Sequence, residues 1–110
     1  MKTENTKSQM RKGILEYCIL LVLENKPQYV SDIIENLEKS QMIVVEGTLY
    51  PMLSRLKSEG YLGYRWEESA QGPPRKYYEL TEAGRQFLNE LGHAWDELVD
   101  TVFNLNNKAR

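Results

Sequence analysis

The chain has 110 residues, 41% of them hydrophobic, with 14 basic and 16 acidic side chains and a formal net charge of −2. That length suits one small domain, with a core modest enough for a partner to complete it, so oligomerisation is expected. The slight acidic excess excludes a protein that coats nucleic acid indiscriminately, and any contact with a polyanion has to use local patches.

Charge is unevenly spread: residues 2–26 carry five basic and three acidic side chains, and residues 82–110 carry three basic and five acidic. The acidic end is not expected to face phosphates. Cys18 is the only cysteine, so no intramolecular disulfide or multi-cysteine zinc site can form. A core-filling role in a reduced, cytoplasmic compartment is expected. The apolar run Tyr17 to Leu23 is far shorter than the roughly 20 residues of a membrane span, and no small-residue cleavage site follows it. Neither a membrane anchor nor a signal peptide is expected.

A first helix is predicted from about Ser8 to Glu24, apolar on nearly all sides in its second half and stopped by Asn25-Lys26-Pro27. A second runs from about Tyr29 to Lys39, with Val30, Ile33, Ile34 and Leu37 on one buried face and an acidic opposite face. A third spans about Glu46 to Glu59. Leu49, Met52, Leu53 and Leu56 form its apolar stripe, and Gly60 is available as its stop. At about 100° per residue, Gly47, Pro51, Ser54 and Ser58 project opposite that stripe, with Tyr50 and Arg55 on its edges. This exposed side is small, polar and free of carboxylates. Flanked by Tyr50, Arg55 and Lys57, it suits close approach to another surface.

Two strands follow, Tyr61 to Glu67 and Arg75 to Leu80, joined by a predicted loop from Glu68 to Pro74. Arg75 and Lys76 stand beside that turn, where a protruding hairpin brings them within reach of a phosphate. Thr81 is placed to cap the final helix, about Glu82 to Asn106. There Gly84, Leu88, Leu91, Trp95, Leu98, Val102 and Leu105 recur at alternating spacings of four and three, a heptad seam that Phe87, Val99 and Phe103 widen.

The order helix, helix, helix, hairpin, long helix is that of a winged helix-turn-helix, a mainly α fold with a small β-hairpin. Residues 1–80 are expected to form the DNA-binding head and residues 81–110 a C-terminal dimerisation helix, one structural domain overall. The candidate dimer seam is Leu88, Leu91, Trp95, Leu98 and Val102. The candidate DNA face is Thr48, Tyr50, Ser54, Arg55 and Lys57 on the third helix, with Arg75 and Lys76 on the wing.

Three motifs carry a family resemblance: Arg11-Lys12-Gly13-Ile14-Leu15-Glu16; Thr48-Leu49-Tyr50-Pro51 with Leu53, Arg55-Leu56 and Gly60-Tyr61-Leu62; and Gly72-Pro73-Pro74-Arg75-Lys76-Tyr77-Tyr78 with Leu80-Thr81 and Gly84. From about Met10 to Trp95 the chain resembles, in register, the PadR family of bacterial transcriptional regulators, in a short form. The resemblance implies a homodimeric repressor whose long last helix pairs with the first helix and with the partner chain. It also implies operator contacts by Thr48, Tyr50, Arg75 and Lys76. Some members stack a flat aromatic effector on a tryptophan at the place of Trp95, and the same role is implied for Trp95 here.

Each of these residues has a plainer reading. Tyr50 can pack on the second helix, and Arg75 and Lys76 can be solvated charges on an ordinary hairpin. Tyr77 and Tyr78 are expected to pack the hairpin, Trp95 to serve as a dimer-core knob before a ligand platform, and Met10 and Met52 to fill gaps. His93 has no second ligand for a metal, and no nucleophile stands at a usable spacing from a base. No enzyme, metal or cofactor is expected. The alternative to a DNA-binding regulator is a winged-helix module that binds protein, which the acidic second helix favours.

Overall fold

The computed structural model describes residues 2–108; Met1, Ala109 and Arg110, which belong to the expected segments 1–80 and 81–110, lie outside the described residues. The elements run α1 (Lys2–Val22), α2 (Val30–Lys39), α3 (Glu46–Ser58), β1 (Leu62–Ser69), β2 (Gly72–Leu80) and α4 (Glu82–Lys108). This is the expected winged helix-turn-helix with a long C-terminal helix.

α1 begins at Lys2 rather than Ser8. Its first half is exposed and lacks apolar periodicity, so it left no pattern to read. A Glu4–Lys7 pair at 3.9 Å and the Thr6 hydroxyl donating to the Lys2 carbonyl at 3.1 Å accompany it. The second half supplies Leu15, Ile19 and Leu20 to the core, and Leu23 follows in the turn. Leu21 remains 41% exposed, so α1 is not covered on every side. Met10, expected as filler, is 69% exposed, whereas Met52 packs against the core. Cys18 packs there too, and burial pushes its thiol pKa up, leaving an uncharged filler as expected.

The rest of the core comes from Val30, Ile33 and Leu37 of α2, Val44 just before α3, Leu49, Leu53 and Leu56 of α3, Leu62, Tyr78 and Leu80 of the hairpin, and Leu88 of α4. Both helices of the helix-turn-helix end in the same device. After α3, Gly60 at φ 87° lets its own N–H reach the Lys57 carbonyl at 3.0 Å and the Tyr61 N–H reach Leu56 at 2.9 Å. This is a Schellman stop. After α2 the same pair of bonds is made from Gln41 to Glu38 and from Met42 to Leu37, both at 2.9 Å, with Gln41 held at φ 71°.

β1 and β2 are antiparallel, with Tyr64 opposite Tyr78, Trp66 opposite Lys76 and Glu67 opposite Arg75. The hairpin is longer than expected. Its turn is Ala70-Gln71, and Gly72, Pro73 and Pro74 belong to β2 rather than to a loop. The register slips between Glu67 and Ser69, where Pro73 and Pro74 face one residue. Such a bulge tolerates two residues that cannot donate to the ladder. A third backbone segment joins the sheet at one point: Gln28 exchanges both main-chain hydrogen bonds with Tyr78 at 2.9 Å. The buried Gln28 side chain donates to the Val22 carbonyl and accepts from Asn36 at 2.7 Å, tying the α1–α2 turn to both helices while its main chain holds the hairpin.

α4 starts inside this body and then leaves it, so the molecule measures 59 × 34 × 22 Å with a radius of gyration of 16.3 Å. A compact chain of this size is expected near 13 Å. Among the described residues no helix is long and apolar enough to cross a membrane.

Candidate nucleic-acid interface

α3 buries Leu49, Leu53 and Leu56 completely, and that fixes what it shows outward. Gly47, Pro51, Ser54 and Ser58 are all exposed on the opposite side. Of the seven candidate DNA residues, Ser54 stands on this outward side, Arg75 and Lys76 belong to β2, and the other four divide between the two edges of α3. Tyr50 and Lys57 lie on the edge beside the hairpin; Thr48 and Arg55 lie on the edge beside α1.

On the hairpin side, cations and rings interleave. The Lys57 ammonium lies 4.8 Å from the Tyr64 ring centre and the Lys76 ammonium 4.1 Å from the same centre, with Tyr78 at 5.4 Å and Trp66 at 6.0 Å from Lys76. Arg75, on the other face of β2, sits 5.0 Å over Tyr29. Tyr29, Tyr50, Trp66, Lys76 and Tyr78 line a recess of about 220 Å3 between helix and wing. Among the described residues no carboxylate lies within ion-pair distance of Lys57, Arg75 or Lys76. Burial and then Glu46 raise the Tyr50 phenol above its ordinary 10.0, so it stays a neutral donor and acceptor.

The α1 side differs. Arg55 forms ion pairs with Glu16 of α1 and with Glu59, both at 3.0 Å, so its charge is already matched. The contact to Glu16 is one of charge rather than an aligned hydrogen bond. Arg55 thus holds α3 to α1 and is the least available of the seven. Thr48 borders a separate shallow groove with Ser8, Arg11, Lys12 and Val45. Thr48 and Ser54 are exposed and face outward with nothing upon them.

Tyr64, Trp66, Tyr29 and Gln28 were not among the expected functional residues. Tyr64 and Trp66 were legible as one face of a period-2 strand, opposite Lys76 and Tyr78. Tyr29 and Gln28 come from the α1–α2 connection and leave no such signal. Tyr77 is half-buried and Tyr78 buried, the packing role expected of both.

α4 splits the expected seam. Leu88 is 7% exposed and Leu91 half-buried, both against the chain's own core, while Phe87 stacks on Tyr61 at 4.1 Å. Beyond them Trp95, Leu98, Val99, Val102, Phe103 and Leu105 are 40–63% exposed. A cleft of about 420 Å3 between α1 and α4 is lined by Tyr17, Leu21, Arg85, Gly92, His93 and Asp96, and Trp95 lies outside it.

This architecture has named counterparts. Residues 19–90 match the family model described as the transcriptional regulator PadR-like family. A PadR-like transcription factor from Bacteroides fragilis is 59% identical, with a TM-score of 0.77 over 92% of this chain and 98% of that one. A PadR family transcriptional regulator from Eggerthella lenta is 31% identical, with a TM-score of 0.82 over 94% and 90%. PadR of Bacillus subtilis, solved in complex with operator DNA, is 27% identical with a TM-score of 0.65, covering 71% of this chain and 46% of that one. With the fold, the family model and a 59% identical relative in agreement, the chain belongs to the PadR-like family of transcriptional regulators.

Proposed function

We propose that this regulator works as a cytoplasmic homodimer that binds operator DNA and represses transcription until a small aromatic effector releases it. α3 enters the major groove with Thr48, Tyr50 and Ser54 toward the bases, while Lys57, Arg75 and Lys76 hold phosphates. The observation that carries this reading is the outward face of α3, made of Gly47, Pro51, Ser54 and Ser58, beside three cations that have no carboxylate within ion-pair distance among the described residues. The operator complex of the Bacillus subtilis relative supports DNA as the partner. Two heads on a two-fold axis suit adjacent half-sites.

Duplex binding measured against salt tests the reading and separates it from a protein-binding module. The logarithm of affinity is expected to fall by about 0.9 per phosphate for each logarithmic unit of salt, and Arg75→Ala and Lys76→Ala each to reduce that slope by about 1. Tyr50→Ala is expected to weaken a selected operator more than random DNA. Failure of the wild type to bind any duplex would leave the protein-binding alternative. For the effector, Trp66→Phe isolates Trp95, whose emission is expected to be quenched by planar aromatic acids that also lower operator affinity, as linkage requires. Quenching without that change in affinity assigns Trp95 to packing alone.

A further inference from the structure

We infer that Tyr64 is a positioning residue for the DNA backbone: its ring holds one ammonium from the recognition helix and one from the wing as a single preorganised unit for phosphates. The inference rests on the DNA-binding reading above and adds to it a residue that touches no DNA base. Lys57 and Lys76 approach the same ring centre, at 4.8 Å and 4.1 Å. They come from α3 and β2, and Tyr64 lies on β1, which packs against both. The negative face of an aromatic ring attracts a cation, but one neutral ring does not cancel two like charges. With no carboxylate within ion-pair distance of either lysine among the described residues, the pair keeps a positive potential that an anion can relieve. Arg55, two residues away on the same helix, shows the contrast, since two carboxylates already match it.

The ring is itself held in place. Trp66 meets it edge-on at 6.3 Å and Tyr78 lies tilted at 6.2 Å. Tyr78 is anchored by its main-chain exchange with Gln28. A free lysine has to surrender much of its rotamer freedom for each phosphate it contacts, and restraint on a ring removes part of that loss in advance. Helix and wing are thereby fixed in relative position on the side that faces the duplex.

The test uses the full chain and a labelled random-sequence duplex, followed by fluorescence anisotropy across a salt series. Tyr64→Phe keeps the ring and is expected to bind within about twofold of wild type. Pentafluorophenylalanine placed at position 64 keeps the shape while removing the negative ring face, and affinity is expected to fall about tenfold. That loss is expected to vanish in a chain also carrying Lys57→Ala and Lys76→Ala, because a residue acting only through the lysines has nothing left to position. Thermal unfolding of the fluorinated protein checks that the fold is intact. An equal loss in both backgrounds, or no loss in either, overturns the inference while DNA binding stands. Absence of salt-dependent duplex binding by the wild type overturns the DNA-binding reading and this inference together.

Discussion

The hydroxyl of Thr81 donates to the carbonyl of Gly60 at 2.6 Å, joining the start of α4 to the end of α3 across 21 residues of sequence. The same oxygen accepts the Gly84 N–H at 3.0 Å, and the Thr81 N–H donates to the Tyr61 carbonyl at 3.1 Å. One side chain therefore caps α4 and secures the Schellman turn of α3. Thr81→Val keeps the β-branched shape and removes both hydroxyl bonds. A loss of about 1–2 kcal/mol is expected, seen as a lower midpoint of thermal unfolding at fixed protein concentration. An unchanged midpoint would show that the two bonds contribute nothing to stability.

Gly84 explains why a helix that prefers alanine carries glycine in its first turn. A methyl there would collide with the main-chain oxygen of Tyr61, backbone that cannot swing aside. Gly84→Ala is expected to destabilise by about 2–4 kcal/mol, although alanine is intrinsically the better helix former by about 1 kcal/mol. Gly13, in the exposed part of α1, has nothing within 4 Å of an added methyl. Gly13→Ala is expected to stabilise by about 0.5–1 kcal/mol. Denaturant unfolding of the two variants should move in opposite directions, and movement in the same direction defeats the argument.

Gln41 occupies the left-handed position of the α2 stop at φ 71°, the place that Gly60 fills after α3. A residue with a Cβ pays about 1 kcal/mol or more there. Gln41→Gly is expected to raise stability by about 0.5–1 kcal/mol, and Gln41→Val to lower it by more than that, since a β-branched side chain tolerates the conformation least. Equal stability of the two variants in urea titrations would remove the strain account.

The helices, the α3 stop and the existence of the wing were legible because each rests on local signals: apolar spacing, a glycine after the last turn, and a basic aromatic strand. The wing's turn was misplaced for a physical reason. Pro73-Pro74 reads as a break, yet a bulge opposite Glu68 absorbs both missing donors, and the chain turns only at Ala70-Gln71. The candidate face was half legible. Helical spacing places Ser54 outward and Tyr50 on an edge, but it carries no information on Glu16, which reaches Arg55 from α1. Nor does it say that two lysines share the Tyr64 ring, a product of how helix and hairpin pack. Heptad spacing marks the apolar stripe of α4, yet spacing alone cannot tell a core contact from a partner contact. Leu88 proves to be the former; Leu98 lies bare.

That distinction decides where dimerisation should be tested. Leu91 is half-buried against the chain's own core, so a carboxylate there would unfold the head and say nothing about a partner. Leu98 is 58% exposed in the single chain, between Trp95 at 40% and Val102 at 63%. On a monomer, Leu98→Asp is a surface change worth within about 0.5 kcal/mol. In a homodimer closed through this stripe it buries an unpaired carboxylate in an apolar seam, and a buried unpaired charge costs about 3–5 kcal/mol. The dissociation constant is expected to rise on the order of 100-fold or more, with α-helical content largely kept. Sedimentation velocity over a concentration series reads this directly: wild type as a dimer at micromolar concentration, the variant as a folded monomer. A wild type that sediments as a monomer, or a variant that dimerises as tightly as wild type, would show that another surface covers the α4 stripe.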